Sequence, residues 1–193
     1  MASESTQRRR EALIPLLRDS ADSVKEAAAH AIERLEGLVG IPETLELLKK
    51  GGFAEKIKAI YALGEIGDEK VLPALIYCAS RPEEGVKAAA IEVLGNMAHP
   101  AALKVLIERL SEPEPTMKAR AIAALGNYRD PALAGYITPF LDADDGLIEV
   151  EALKALAPIG ENSLEERFIK LLRSQYPKTR EVAAWALGCL SVK

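Results

Sequence analysis

The chain has 193 residues, of which 49% are hydrophobic and 28% charged, a balance that excludes both a disordered tail and a membrane protein. The net charge of −4 and the pI of about 5.4 argue against a general attraction to nucleic acid or anionic lipid. Aromatic residues make up only 5% of the chain, which favours closely packed helices over a β-sandwich.

One pattern of small and aliphatic residues recurs every 31 residues along the chain. Its anchors are Ile32, Leu63, Leu94, Leu125, Leu156 and Leu187. Four residues before each anchor stands an alanine: Ala28, Ala59, Ala90, Ala121, Ala152 and Ala183. Apolar residues one position before and three positions after the anchor complete a stripe with helical periodicity. The pattern predicts one amphipathic helix, helix B, in each of six units.

A second apolar stripe predicts a shorter helix A ahead of each helix B. Gly51-Gly52 and Arg81-Pro82 are typical of the turns between A and B, and Asp68 and Asp130 are predicted N-caps of the following helix A. The predicted units span about 8–36, 41–67, 70–98, 101–129, 132–160 and 163–191. Residues 1–7 are expected to form a loosely ordered tail.

Such helix pairs bury both faces only when they stack, so the predicted fold is all-α: an α-α superhelix of six 31-residue pairs, forming one solenoid domain over residues 1–193. The alanine column indicates that neighbouring helices approach closely, since a larger side chain there would push them apart. The glycines that follow four anchors indicate a close contact or a helix end, because glycine is unfavourable within a helix. They are Gly64, Gly95, Gly126 and Gly188.

The segments VKAAAIEVLGNM (86–97), MKARAIAALGNY (117–128) and TREVAAWALGCL (179–190) resemble HEAT repeats, and more closely the short bacterial and archaeal form named after phycobilisome lyases. The resemblance covers about residues 8–191. It implies a right-handed solenoid whose B helices line a concave surface.

The family's basic position near the start of helix B holds Lys25, Lys56, Lys87, Lys118 and Arg180 here, but Glu149 in the fifth unit. These cations are expected to pair with nearby acids, for which the candidates are Asp19, Glu83, Glu112 and Asp142. Glu149 is expected to form an ion pair with Lys118 or Arg180 of a neighbouring unit.

Variable positions that share one face of the B helices are the candidate binding site, because only residues that differ between units can encode a partner. They are His30, Lys58, Tyr61, Glu92, Asn96, Arg120, Asn127, Glu151, Lys154 and Trp185. Tyr61 and Trp185 are the strongest candidates, since large aromatic side chains dominate interface energetics. Trp185 is equally placed to cover the end of the last unit, and the alternative for the whole set is unselected drift of solvent-facing positions.

The sequence gives little support for a metal site or a disulfide bond. His30 and His99 lack the adjacent glutamate of HEAT-like deoxyhypusine hydroxylases, and no Cys/His spacing fits a zinc site. Cys78 and Cys189 lie more than three units apart, beyond disulfide reach. The acids of 142–151 do not match an EF-hand loop, and whether they bind a cation stays open. We therefore expect neither a cofactor nor a metal.

The sequence thus predicts a non-enzymatic, cytoplasmic and monomeric scaffold that binds a protein or peptide in the concave groove, without nucleic-acid or membrane partners. The alternatives are a phycobilin lyase-like protein or another maturation accessory and, third, a HEAT-like nucleic-acid-binding protein. The convex face is an alternative place for the partner. DNA glycosylases of this fold use a basic groove, whereas the groove predicted here has mixed charge.

Overall fold

A computed structural model describes residues 4–160 and 162–190, and the predictions for residues 1–3, 161 and 191–193 lie outside these described residues. Every regular element of the described residues is helical, which confirms the all-α fold. The chain divides into two compact units, Met1–Val71 and Leu72–Lys193. The single domain and the number of six helix pairs stay predictions.

The first compact unit is built around one long helix. Its elements are α1 (Glu4–Leu13), a 3₁₀ turn (Ile14–Arg18), α2 (Asp22–Lys50), α3 (Phe53–Ile66) and a second 3₁₀ turn (Glu69–Val71). Helix α2 packs against α1, the first 3₁₀ turn and α3. Its buried residues Ala28, Ile41 and Leu48 supply much of the core of this unit.

The long helix α2 corrects two expectations for this region. The sequence predicted a break between units at 37–40, but α2 continues through Gly37, Gly40 and Pro42. Packing explains the difference, because Gly37 lies against the side chain of Ile66 in α3 and burial on α3 outweighs weak helix propensity. The expected tail of residues 1–7 is also wrong for 4–7, which open α1 and are stabilised there by a hydrogen bond from Gln7 Nε2 to Glu11 Oε1 (2.9 Å).

The second compact unit alternates short and long helices. The long ones are α5 (Glu84–Met97), α7 (Pro115–Gly126), α9 (Gly146–Leu156) and α11 (Pro177–Cys189), and the short ones are α4 (Leu72–Ala79), α6 (Leu103–Arg109), α8 (Ala134–Ile137) and α10 (Glu165–Leu171). Turns of 3₁₀ helix lie at Pro100–Ala102, Pro131–Leu133, Thr138–Asp142, Ala157–Ile159 and Asn162–Leu164. The long helices are the predicted B helices, and α5, α7, α9 and α11 pack in succession.

Small residues set the spacing of these long helices. The repeated alanines are buried in all six B segments. A Cβ added at Gly95 would lie 2.6 Å from Cα of Ala124, and one added at Gly126 would lie 2.7 Å from Cβ of Ala155. The predicted close contact is therefore confirmed at these two glycines. At Gly188 an added Cβ would meet no neighbouring atom within 4 Å.

The short A helices mostly begin in 3₁₀ turns that are capped by side chains. Asp130 Oδ1 accepts from the backbone N–H of Ala132 (2.9 Å), and Asp68 Oδ1 accepts from that of Lys70 (2.8 Å), as predicted for N-caps. Helix α8 is only four residues long because Pro139 has no N–H with which to continue it, and a 3₁₀ turn follows. None of the helices in the described part of the chain combines the length and the apolarity that crossing a bilayer requires.

Candidate functional site

The predicted site residues of the second compact unit lie on the exposed side of its long helices. We call this surface the B-helix face and define it by Glu92, Asn96, Arg120, Asn127, Glu151, Lys154 and Trp185. All are exposed except the half-buried Glu151. Because α5, α7, α9 and α11 pack in succession, these side chains project from a single layer of helices.

Two polar pairs cross from α5 to α7 on the B-helix face. Arg120 Nη1 lies 3.5 Å from Glu92 Oε2, and Asn127 Nδ2 donates to Asn96 Oδ1 over 3.2 Å. The asparagines occupy the same repeat position, so the second pair directly links equivalent residues of adjacent repeats. This part of the face is thus polar and has mixed charge.

The other part of the B-helix face combines an ion pair with an exposed indole. Lys154 Nζ lies 2.7 Å from Glu151 Oε1 on the same helix, α9. Trp185 on α11 is 50% exposed. Most large apolar side chains of the long helices are buried, so a half-exposed tryptophan among them stands out as a candidate contact residue.

The three remaining predicted site residues belong to the first compact unit. His30 is exposed on α2 with Nδ1 3.9 Å from Glu33 Oε2, and Lys58 and Tyr61 are exposed on α3. The structure thus places all three at the surface of their own unit.

The basic position of helix B forms a nearly buried ion cluster in the third repeat. Lys87 Nζ lies 2.9 Å from Glu112 Oε2, and Arg109 Nη1 lies 2.9 Å from Glu112 Oε1. The side chains of Lys87 and Glu112 are only 12% and 13% exposed. Glu112, one of the four predicted acids, therefore pairs with a cation of this column, and Arg109 joins the pair.

The expectation for Glu149 is wrong. Within the described residues no lysine or arginine nitrogen lies within 4 Å of its carboxylate; instead the Ser174 hydroxyl donates to Glu149 Oε2 over 3.2 Å. Arg180 Nη1 donates to the carbonyl oxygens of Ser174 (2.8 Å) and Gln175 (3.3 Å), so that cation stabilises a turn. Glu149 is nevertheless only 5% exposed.

A cavity of about 680 Å³ lies beside Glu149, between the turn before α9 and the segment formed by α10 and its following turn. Its lining includes Glu149 and Ser174, the apolar Ile169, and Asp142 with Lys170. Asp142 accepts from Lys170 Nζ (2.6 Å) and Arg167 Nη1 (2.8 Å). The Lys170 hydrogen bond lowers the pKa of Asp142 below its ordinary value, although partial burial opposes that effect.

The turn before α9 is held in place by the segment that follows α10. The Tyr176 hydroxyl donates to the Asp144 carbonyl (3.0 Å), and Gln175 Nε2 donates to Asp144 Oδ1 (3.1 Å). Asp144 has a positive φ of 51°, and a Cβ at Gly146 would lie 2.7 Å from the Tyr176 ring. Asp145 caps α9 by accepting from the N–H groups of Leu147 and Ile148. These contacts fix one wall of the cavity.

Sequence reasoning missed this cavity, although a signal for it was present. Glu149 stands out as the acid in a basic column. The 31-residue register also places Ser174 two repeats after Glu112, the partner of Lys87. Applying the 31-residue register to Glu112 as well as to Lys87 would have predicted that Glu149 meets Ser174.

The remaining polar candidates serve the fold. His99 Nδ1 accepts from the backbone N–H of Ala101, and the Tyr128 hydroxyl donates to the His99 carbonyl (2.8 Å). Burial raises the pKa of Tyr128 to about 12. Cys78 is buried and Cys189 is exposed. The described residues contain no group of three or more His, Cys, Asp or Glu side chains that could hold a metal ion.

Residues 41–126 and 103–188 each match a family model described as HEAT repeats. No curated protein matches the chain. Among solved structures, an engineered protein is 20% identical with a TM-score of 0.55 over 93% of this chain and 95% of that one. The complex of CpcE and CpcF of phycocyanin lyase from Nostoc sp. PCC7120 is 24% identical with a TM-score of 0.57, over 93% and 76%. Human deoxyhypusine hydroxylase in complex with glycerol is 17% identical with a TM-score of 0.46, over 98% and 92%.

Proposed function

The chain belongs to the HEAT-repeat family, and from this premise we propose that it is a binding scaffold whose B-helix face holds a protein or peptide partner. The observation that carries the proposal is Trp185, which is half exposed on a layer of helices that buries most of its large apolar side chains. Exposed tryptophans of this kind are enriched among the residues that dominate binding energy.

The chemistry around Trp185 supports a polypeptide partner. Protein interfaces combine an aromatic centre with a polar rim, and the B-helix face supplies both. Asn96 and Asn127 each keep further amide donors or acceptors beyond their mutual hydrogen bond, which suits the alternating N–H and C=O groups of a peptide backbone. The Glu92–Arg120 pair can exchange its internal contact for charges on a partner.

The mechanism we propose is passive. Close packing at Gly95 and Gly126 holds the long helices at fixed spacing, so the face is formed before the partner arrives. A preformed surface loses less conformational entropy on binding than a mobile one. Within the first compact unit, His30, Lys58 and Tyr61 are proposed as further contacts.

The proposal is tested by affinity capture from the native cell with mass spectrometry, followed by measurement of the dissociation constant with the captured protein. Trp185→Ala should weaken binding at least about tenfold, because hot-spot truncations commonly have effects of this size. The matched control is Tyr136→Ala, which removes an equally exposed aromatic (50%) from α8, away from the B-helix face. Loss of binding in the Tyr136 variant alone would move the partner to the A helices and reject the proposal.

A second candidate is a maturation accessory related to the bilin lyases, favoured by the fold shared with the phycocyanin lyase complex and by the repeat form of the sequence. Its test is direct. The protein is incubated with phycocyanobilin, passed through a desalting column and scanned for visible absorption. A retained bilin absorption band would favour this candidate over the adaptor.

A further inference from the structure

Two contacting repeat positions hold a cation and a carboxylate at one place in the second compact unit, but a carboxylate and a hydroxyl at another. Moving two repeats of 31 residues along the chain takes Lys87 to Glu149 and Glu112 to Ser174. In the first place a cation meets a carboxylate over 2.9 Å, and in the second a carboxylate meets a hydroxyl over 3.2 Å. The repeat between them has Lys118 and Ala143 at these positions.

We propose that the cavity beside Glu149 binds a guanidinium group carried on an alkyl chain, with the Glu149 carboxylate as its counter-charge. This site goes beyond the proposed function, because none of the residues that define the B-helix face lines the cavity. An ionised carboxylate is costly to bury without a cation, and Glu149 is 95% buried with only the Ser174 hydroxyl as partner in the described structure. A cation that enters the cavity removes that cost.

The charges that face the cavity favour one added positive group. Acidic side chains outnumber basic ones in the lining: Asp142, Asp144, Glu149 and Glu166 against Lys170 and Arg173. Lys170 is held by Asp142 at 2.6 Å, so its charge is already compensated. Arg173 at the lining disfavours a ligand with two positive groups. The balance therefore selects a monocation.

The shape and polarity of the site favour guanidinium over a metal ion or a simple ammonium. The described residues offer no cluster of three metal ligands. A guanidinium is planar, pairs with a carboxylate through two parallel hydrogen bonds and gives up its hydration more readily than an ammonium. The Ser174 hydroxyl donates to Glu149 and accepts from the backbone N–H of Tyr176 (3.3 Å), and its oxygen keeps one lone pair to accept a further N–H.

The apolar part of the lining accommodates the alkyl chain. Leu141, Ile169 and Leu171 lie in the wall, and the cavity of about 680 Å³ is much larger than a guanidinium alone. The Tyr176 and Gln175 hydrogen bonds to Asp144 hold the opposite wall. A site that is ordered before binding loses little entropy when the ligand enters.

The test is a titration of the full chain by ¹H–¹⁵N NMR with two monocations, n-butylguanidine and Nα-acetyl-arginine N-methylamide. We expect a dissociation constant on the order of 1 mM, as befits a single side chain, with shift changes centred on 141–149 and 166–175. The neutral citrulline analogue of the capped arginine should bind at least about tenfold more weakly. Tighter binding of n-butylguanidine would identify a free alkylguanidine as the ligand, and tighter binding of the capped arginine would identify a side chain of a partner protein.

Two variants make the test decisive. Glu149→Gln should weaken binding at least about tenfold, while Glu165→Gln, on α10 but outside the lining, should change it less than about twofold. The double variant Glu149→Lys with Ser174→Glu copies the Lys87–Glu112 pair into the cavity and should abolish binding in a folded protein. Unchanged affinity in either cavity variant, or equal affinity for the citrulline analogue, would overturn the proposal whatever becomes of the B-helix face.

Discussion

The Lys87–Glu112 cluster and the Glu149–Ser174 pair differ although the same helical repeat builds both. In the first, Lys87 and Arg109 both contact Glu112, and the charges compensate one another away from solvent. In the second, a carboxylate buried to the same degree or more has a neutral partner and borders a cavity. Three differences at matching repeat positions, Lys87 against Glu149, Arg109 against Leu171 and Glu112 against Ser174, thus separate a structural ion cluster from a candidate binding site.

This comparison shows that helix packing determines which two repeat positions are in contact, whereas the residue types at those positions determine whether they form an ion pair or a binding site. The repeated alanine is buried in both places, since Ala90 on α5 and Ala152 on α9 are each 0% exposed, and close contacts at Gly95 and Gly126 join α5 to α7 and α7 to α9. The residues that distinguish the two places lie in the first turn of a long helix and at or just after the end of a short one. A repeat protein can therefore gain a site without altering its core.

The largest expected effect is a loss of stability when the close contacts between the long helices are disrupted. Gly95→Ala and Gly126→Ala each force a methyl group into a backbone or Cβ contact under 3 Å, so each should lower the free energy of unfolding by about 3 kcal/mol. Urea denaturation measures this loss. Gly188→Ala is the control, because its Cβ would enter open space, and it should leave stability unchanged or slightly higher. Loss at only one of these two glycines would mean that the two places are not held alike.

The next prediction is that replacing the glutamate by glutamine has different effects on stability at the two places. Glu112→Gln leaves Lys87 and Arg109 facing each other in a nearly buried cluster and should cost about 2 kcal/mol. Glu149→Gln removes a buried charge that lacks a cation, and should be neutral or stabilising by up to about 1 kcal/mol. Both are measured by urea denaturation at pH 7. Equal destabilisation by the two substitutions would show that Glu149 is compensated after all.

The repeated columns made most of the fold predictable. Buried alanines and tightly packed glycines can be recognised from one sequence because each repeat tests the same position again. The continuity of α2 could not be recognised in this way. Gly37, Gly40 and Pro42 indicate a break by propensity, and only the packing of α2 on α3 retains the helix.

The candidate sites were predictable to different degrees. Positions on the B-helix face follow from helical periodicity, and the Asn96–Asn127 pair follows from the register. The partner of Glu149 did not follow, because the nearest cation in the column, Arg180, is held by backbone carbonyls that a pattern of residue types does not reveal. Charge columns therefore predict where a charge lies better than they predict its partner.

The smallest expected effect concerns the exposed ion pairs at the rim of the cavity. Lys170 lowers the pKa of Asp142, so the charged carboxylate stabilises the fold above its unfolded pKa and loses that effect as the pH falls through the folded pKa. Asp142→Asn should therefore cost about 0.5 kcal/mol at pH 7, the usual size for exposed pairs, and progressively less as the pH falls through the lowered pKa. Urea denaturation at pH 7 and at a series of lower pH values measures the difference. A cost that persists at the lower pH would assign Asp142 a packing role instead.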